Sequence, residues 1–249
     1  METVGSTVVV CRILDSKLAT IVHEAKYLVA FTGAGVSTLS GIPDFRGKSG
    51  LYNNPDYHRI FDLDLFLEDH SIYYRACQKL FYEAHDVRSS LVHNVLATLE
   101  AEGKLKAIIT QNIDRLHQQA GSKRVIEVHG SPEVHRCLVC GVRYSFDEIQ
   151  ARVLAGEIPP RCGCSGVIKP EITFFGEELP QGAIDAAYAE AAQADVMLVL
   201  GTSLTVYPAA WIPQRCRARG GQIVIVNDQA TDQDNMAALR LWSLEQAFS

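Results

Sequence analysis

Short apolar runs alternate along the chain with segments in which apolar residues recur every three or four positions. The apolar runs occupy residues 27–31, 106–110, 124–128, 196–200 and 222–226. Helical spacing covers residues 13–25, 90–102, 114–120, 182–193 and 208–219. Strands that carry apolar residues on both faces and alternate with helices predict an α/β fold, in which helices cover both sides of a parallel sheet.

Two segments interrupt this alternation. Residues 47–87 are rich in aromatic and acidic side chains and predict a helical insertion. Residues 131–176 contain four of the seven cysteines. We find no internal repeat and no low-complexity segment.

Composition narrows the class of protein. A chain of 249 residues has the length of one large domain or of a large domain with a smaller companion. With 47% hydrophobic and 21% charged residues it is typical of a globular protein, which excludes disorder, collagen and coiled coil. The net charge of -6 and the lack of a long basic run argue against a nucleic-acid partner. We expect no membrane span and a cytoplasmic location, because no apolar run approaches ~18 residues and the start lacks the apolar core of a secretory signal.

Small or polar residues follow every predicted strand, and in open α/β sheets ligands bind beyond these carboxyl ends. Gly33 and Gly35 would let backbone amides approach a pyrophosphate, although Thr38 replaces the third glycine of the usual fingerprint and a tight turn explains the pair as well. His129 fits a structural histidine as well as a catalytic one, and Asp114 fits a helix cap. A ligand site is favoured because these residues are expected to converge on one edge of the sheet.

The cysteine cluster has the spacing of a metal site. Cys137 and Cys140 are separated by two residues, and Cys162 and Cys164 follow with one residue between them. Two close pairs supply four thiolates for a structural zinc ion, the alternative being four reduced buried thiols. We expect Gly163 to permit the unusual backbone angles of the shorter spacer.

The motifs together resemble one family. They are GAGVS at 33–37, GIPDFR at 41–46, TQNID at 110–114, HG at 129–130, FGE at 175–177, GTS at 201–203 and VN at 226–227. In this order, with the paired cysteines, they resemble the sirtuins, which are NAD-dependent protein lysine deacylases, and among these the short bacterial enzymes. The resemblance runs from about residue 18 to residue 227.

The resemblance implies a Rossmann-like NAD-binding large domain of residues 1–46, 88–130 and 177–249. A small domain would be formed by a helical module, 47–87, and a zinc module, 131–176. NAD would lie between the domains, and the acetylated lysine of a protein or peptide would enter from the opposite side. The products would be nicotinamide, free lysine and O-acetyl-ADP-ribose.

The resemblance also implies residue roles. His129 would be the general base, and Asn112, Ile113 and Asp114 would form the nicotinamide pocket. The NAD site would comprise these four and Gly33, Ala34, Gly35, Ser37, Thr38, Asp44, Phe45, Arg46, Gln111, Gly201, Thr202, Ser203, Asn227 and Asp228. The peptide would pair as an added strand with a site comprising Ile172, Thr173, Phe174, Phe175, Gly176, Glu177, Val206 and Tyr207. Thr173 stands where the family usually has valine.

Two other functions use the same residues differently. An ADP-ribosyltransferase would break the same bond of NAD but modify an acceptor, and a non-catalytic NAD-binding scaffold would release no nicotinamide. A dehydrogenase is disfavoured, because no acidic residue follows a second strand ~20 positions after the glycines.

Overall fold

The computed structural model describes residues 12–47, 50–83 and 87–248. Residues 1–11, which bear on the expected absence of a secretory signal, lie outside the described residues, as do 48–49 and 84–86 of the expected helical module. The described chain forms two compact units. Unit 1 comprises the residues up to Ile42, Arg88–Val128 and those from Gln181 onward, and unit 2 comprises Pro43–Val87 and His129–Pro180.

The elements are numbered in chain order. The strands are β1 Leu28–Thr32, β2 Leu105–Thr110, β3 Val125–Glu127, β4 Gly130–Cys137, β5 Arg143–Ser145, β6 Ile168–Ile172, β7 Val196–Leu200, β8 Gln222–Val226 and β9 Leu239–Leu241. The helices are α1 Ser16–Glu24, α2 Gly35–Thr38, α3 Leu63–Glu68, α4 His70–Cys77, α5 Leu91–Ala101, α6 Leu116–Gln119, α7 Phe146–Leu154, α8 Gln181–Gln193, α9 Ile212–Ala218 and α10 Leu244–Ala247.

Unit 1 is built on a six-stranded sheet in the order β3-β2-β1-β7-β8-β9, and every neighbouring pair is parallel. All residues of β1 and β7 are buried, as their apolar sequences predict. The predicted α/β fold is confirmed. The sequence did not reveal β9, because its three half-buried residues have a charged residue at the centre.

Unit 2 contains a three-stranded antiparallel sheet in the order β5-β4-β6, together with α3, α4 and α7. A π-helical turn, Gln78–Tyr82, continues α4. Two buried tyrosines connect the two segments of this unit: Tyr74 Oη donates to Ile168 O at 2.6 Å, and Tyr82 Oη lies 2.9 Å from His135 Nε2.

Helices capable of crossing a bilayer need about 20 predominantly apolar residues. Within residues 12–47, 50–83 and 87–248, no helix has that length and apolar character.

Candidate active site and metal centre

The carboxyl ends of β2, β1, β7 and β8 lie side by side in the sheet of unit 1, and we call this border the carboxyl edge. The predicted residues of unit 1 follow these four strands directly. The structure therefore brings together Gly33–Thr38, Gln111–Asp114, Gly201–Ser203 and Asn227–Asp228, as the strand pattern predicts.

Gly33 and Gly35 are required by close packing within the protein. A Cβ atom at Gly33 would lie 2.7 Å from Thr202 Cβ, and one at Gly35 would lie 2.7 Å from Gly201 Cα. Their N–H groups already donate to Leu200 O and Gly201 O, at 3.0 and 2.8 Å. Close packing by itself therefore explains both glycines, which let the turn after β1 pack against the end of β7.

Ser37, Asn112 and Asp114 form a connected polar cluster at the carboxyl edge. Ser37 Oγ donates to Asp114 Oδ2 at 2.6 Å, and Asn112 Nδ2 donates to Ser37 Oγ and Gly33 O, both at 3.1 Å. Asp114 Oδ1 accepts from Leu116 N, the first residue of the short helix α6, at 2.9 Å. The N-cap of α6 is Arg115 and not Asp114, so the helix-cap interpretation of Asp114 is wrong, and its other carboxylate oxygen belongs to the cluster.

Two buried histidines, which sequence reasoning missed, lie next to this cluster in unit 1. The rings of His93 and His117 are 4.5 Å apart, and His117 Nε2 lies 2.9 Å from Thr32 Oγ1. Burial lowers the pKa of His93 to about 4 and that of His117 to about 3, so both are neutral at pH 7. The sequence carried one signal for the position of His93, which stands three residues after Ser90, the spacing of a capping box. In the structure, Ser90 N donates to His93 Nδ1 at 3.1 Å.

The ends of β7 and β8 carry the remaining predicted residues of unit 1. Gln111 Nε2 donates to Thr202 Oγ1 at 2.9 Å, which joins the ends of β2 and β7. Asn227 is buried and Asp228 is exposed. Tyr207 is 52% exposed, as a surface for an added peptide requires.

His129 opens the second segment of unit 2. Its carbonyl oxygen accepts from Thr173 N at 2.8 Å, and Gly130 pairs with Ile172. Gly130 has φ +76°, and a Cβ atom there would lie 2.2 Å from Glu171 O, so only glycine fits directly after His129. The backbone of the expected base is therefore fixed to the segment expected to bind the acetylated lysine.

From Ile172, the last residue of β6, onward, buried and accessible side chains alternate. Ile172 and Phe174 are buried, and the Phe174 ring packs edge-on against Phe61 and Phe66, with centroids 5.9 and 5.3 Å apart. Phe175 is 48% exposed. Ile172 and Phe174 thus lie in the core of unit 2, and the accessible side chains of this segment are those of Thr173, Phe175 and Glu177.

An ion pair between the buried Lys169 and the partly exposed Glu177 stabilises this segment. Lys169 Nζ lies 2.8 Å from Glu177 Oε2, donates to Ile172 O at 2.8 Å and sits 4.1 Å from the centre of the Phe174 ring. Glu177 Oε2 also accepts from Phe174 N at 2.7 Å. Burial lowers the pKa of Lys169, and Glu177 opposes this effect. Glu177 therefore has a structural role that the FGE motif alone does not reveal.

Asp44, Phe45 and Arg46 lie in a loop of unit 2. Asp44 Oδ1 accepts from Gly47 N at 3.0 Å, and the Phe45 ring contacts that of Tyr52 with centroids 5.4 Å apart. The Arg46 guanidinium lies 5.6 Å from the centre of the same tyrosine ring. Phe45 is half-buried and Arg46 is exposed, so both can meet a ligand.

The four clustered cysteines fit a tetrahedral metal ion. The Sγ atoms of Cys137, Cys140, Cys162 and Cys164 all lie within 4.8 Å of one another, and two of the pairs are 3.5 Å apart. Zinc–sulfur bonds of about 2.3 Å place thiolates about 3.8 Å apart in a tetrahedron. A hydrogen bond from the Cys164 backbone and one from Tyr144 Oη lower the pKa of Cys162 to about 6, which favours the thiolate.

The prediction that Gly163 supplies the unusual backbone angles of this loop is wrong. Its φ angle is not positive, and the residue with left-handed backbone in this loop is Ser165, at φ 67°. The loop closes through Ser165 N, which donates to Cys162 O at 2.8 Å.

Residues 33–208 match the model of the Sir2 family. The NAD-dependent protein deacetylase of Thermotoga maritima is 42% identical over 88% of this chain and 89% of its own length. NAD-dependent protein deacetylase 1 of Pyrobaculum aerophilum is 43% identical over 89% of this chain and 86% of its own. A solved structure of Sir2 with a p53 peptide and NAD+ is 41% identical, with a TM-score of 0.85 over 92% of both chains.

Proposed function

The chain belongs to the Sir2 family, and from this premise we propose that it is an NAD-dependent protein lysine deacetylase. The observation that carries the proposal is the cluster of Ser37, Asn112 and Asp114, held by hydrogen bonds of 2.6 to 3.1 Å at the carboxyl edge. Bound NAD would supply the bond between nicotinamide and ribose. Cleavage of that bond leaves ADP-ribose, which accepts the acetyl group from the lysine.

Asp114, with the backbone near Ile113, holds the carboxamide of nicotinamide. A carboxylate makes a strong, charge-assisted hydrogen bond to an amide N–H. Ser37 orients this carboxylate, because its hydroxyl donates to one oxygen while Leu116 N occupies the other. Asn112 is fixed by Gly33 O and by Ser37, which positions its side chain with little loss of entropy on binding.

The turn after β1 binds a phosphate group of NAD. With the amides of Gly33 and Gly35 occupied, Ala34 N–H is the amide between them for which we find no intramolecular acceptor among the described residues. A backbone N–H without an internal acceptor is a suitable donor for a phosphate oxygen.

His129 acts as the general base that takes a proton from a ribose hydroxyl. A histidine is suited to this role because its unperturbed pKa lies near neutrality. The hydrogen bond from Thr173 N to its carbonyl supports a fixed position. Phe45 excludes water from the reacting atoms, which its partial exposure and its contact with Tyr52 support.

The acyl group removed is neutral, with acetyl as the default. Arg75, the cation of α4, is exposed, while Tyr73 and Tyr74 beside it are buried. The arginine therefore points away from the buried face of its helix. An acyl carboxylate entering an apolar site without a cation would lose its hydration uncompensated. A Sir2 structure that is 40% identical, with a TM-score of 0.83, is bound to a propionylated peptide. Propionyl, like acetyl, is a neutral acyl group.

The four cysteines hold a structural zinc ion, since a closed set of four thiolates leaves no position for substrate. We also place the enzyme in the cytoplasm without a nucleic-acid partner. The six described cysteines are unpaired, as is usual in a reducing compartment. Fractionation of the producing cell tests the location.

The activity is tested with NAD and an acetyl-lysine peptide, by measuring nicotinamide and O-acetyl-ADP-ribose. His129→Ala should remove product formation while NAD still binds. Transfer of an adenine label to protein would instead favour an ADP-ribosyltransferase, and NAD binding without nicotinamide release would favour a scaffold.

A further inference from the structure

The outer end of the carboxyl edge carries an exposed tryptophan. Strand β9 pairs in parallel with β8, and its last residue, Leu241, is opposite Val226. Trp242 and Asn227 are the next residues of the two strands. Neighbouring strands lie about 4.8 Å apart, and Asn227 N donates to Leu241 O at 3.2 Å. Trp242 therefore extends the carboxyl edge by one strand beyond Asn227.

The indole is held in place on one face. The Arg240 guanidinium lies 3.9 Å from the centre of the Trp242 ring, a distance at which a cation and an aromatic ring attract. Arg240 is itself fixed, because it donates to Asn227 O at 2.8 Å and to Gln229 O at 2.6 Å. It also pairs with Asp234 at 3.0 Å. Trp242 nevertheless remains 58% exposed, so a large part of the indole is open to a ligand.

The order of strands indicates which part of NAD lies there. The nicotinamide cluster is at the ends of β1 and β2, and Asn227 and Asp228 follow β8 on the far side of β7. The dinucleotide has an aromatic base at each end. If nicotinamide occupies the cluster of Asp114, the adenine end lies towards β8 and β9, where Trp242 is the exposed aromatic side chain.

From this arrangement we infer that Trp242 stacks on the adenine ring of NAD, with Arg240 as the positioning residue behind the indole. The inference rests on the proposed function, because it takes the direction of NAD from the nicotinamide pocket. Stacking of an aromatic side chain on a nucleobase is worth about 1–3 kcal/mol. A ring already fixed by Arg240 loses little entropy on binding, which favours this contact.

The chain contains two tryptophans, Trp211 and Trp242, so fluorescence can isolate the proposed contact. In the Trp211→Phe variant the remaining indole is Trp242, and ADP-ribose should quench its emission saturably. Nicotinamide mononucleotide, which lacks adenine, should quench it far less. In the Trp242→Leu variant the remaining indole is Trp211, and quenching by ADP-ribose should be lost.

Affinity gives a second readout that does not depend on catalysis. By calorimetry, Trp242→Leu should raise the Kd for ADP-ribose about fivefold or more, and Trp242→Phe should recover most of the loss because it keeps a ring. Trp211→Phe is the matched control and should bind as the unsubstituted protein does. Unchanged affinity in Trp242→Leu would overturn this inference alone, whereas no ADP-ribose binding by the unsubstituted protein would overturn it together with the proposed function.

Discussion

Replacing Ser37 by alanine removes one hydroxyl that serves both Asp114 and Asn112. Ser37 is buried, and its hydroxyl donates to Asp114 at 2.6 Å while it accepts from Asn112 at 3.1 Å. Without it, Asn112 Nδ2 keeps Gly33 O as acceptor, but Asp114 loses the donor that fixes one of its two oxygens. We expect a misplaced carboxylate in an otherwise folded protein.

The size of the effect follows from the type of bond. A hydrogen bond to a charged group contributes about 1.5–3 kcal/mol, which corresponds to about 10- to 150-fold in rate. Asp114 is only partly buried, so water can replace the lost donor in part. We therefore expect kcat/KM for nicotinamide release to fall by about tenfold, the lower end of that range, and inhibition by nicotinamide to weaken.

The matched control is Ser40→Ala, three residues further along. The Ser40 hydroxyl is buried and has no hydrogen-bond partner within the part of the chain that the structure describes, so its removal should leave kcat/KM unchanged. Both variants are assayed for nicotinamide release at varied NAD, and their melting temperatures are measured. If Ser37→Ala retains kcat/KM within twofold of the unsubstituted enzyme while still folded, the assigned role of the cluster is wrong.

Four further results are expected. Purified, chelator-free protein should contain one zinc ion per chain, and Cys164→Ser should lower the melting temperature because the metal stabilises its small module; metal-free folded protein would contradict this. His129→Ala should lower kcat by about 100- to 10,000-fold with NAD affinity preserved, and full activity would exclude the base role. Burial lowers the pKa of His93 and of His117 in the folded protein, so below pH 6.5 only the unfolded chain takes up their protons. The free energy of unfolding should therefore fall by about 2 kcal/mol for each histidine between pH 7.5 and pH 5. Urea titrations that show equal stability at both pH values would refute this. An acetylated peptide should have a higher kcat/KM than a succinylated one of the same sequence, and the reverse order would reveal a cation at the acyl site.

The strands and the carboxyl edge could be predicted because both follow from local pattern. Each strand of the sheet's centre is an apolar run, and the residues proposed to bind NAD come directly after it, as after β1 and β2. The cysteine spacing likewise predicted the metal cluster without any knowledge of its geometry.

What could not be predicted depends on contacts between distant segments. The need for glycine at position 33 arises from Thr202, far along the chain. The ion pair of Lys169 with Glu177 and the paired rings of His93 and His117 are likewise set by tertiary packing. Strand β9 is too short to show a pattern. The sequence therefore did not reveal that Trp242 lies beside Asn227.

Incubation of the purified protein with NAD and an acetyl-lysine peptide, with all products followed by mass spectrometry, tests the proposed deacetylase activity. Nicotinamide, deacetylated peptide and O-acetyl-ADP-ribose should appear in equal amounts, and none should form when either substrate is left out. Peptide that stays acetylated, with nicotinamide absent or with ADP-ribose attached to protein, would contradict that activity.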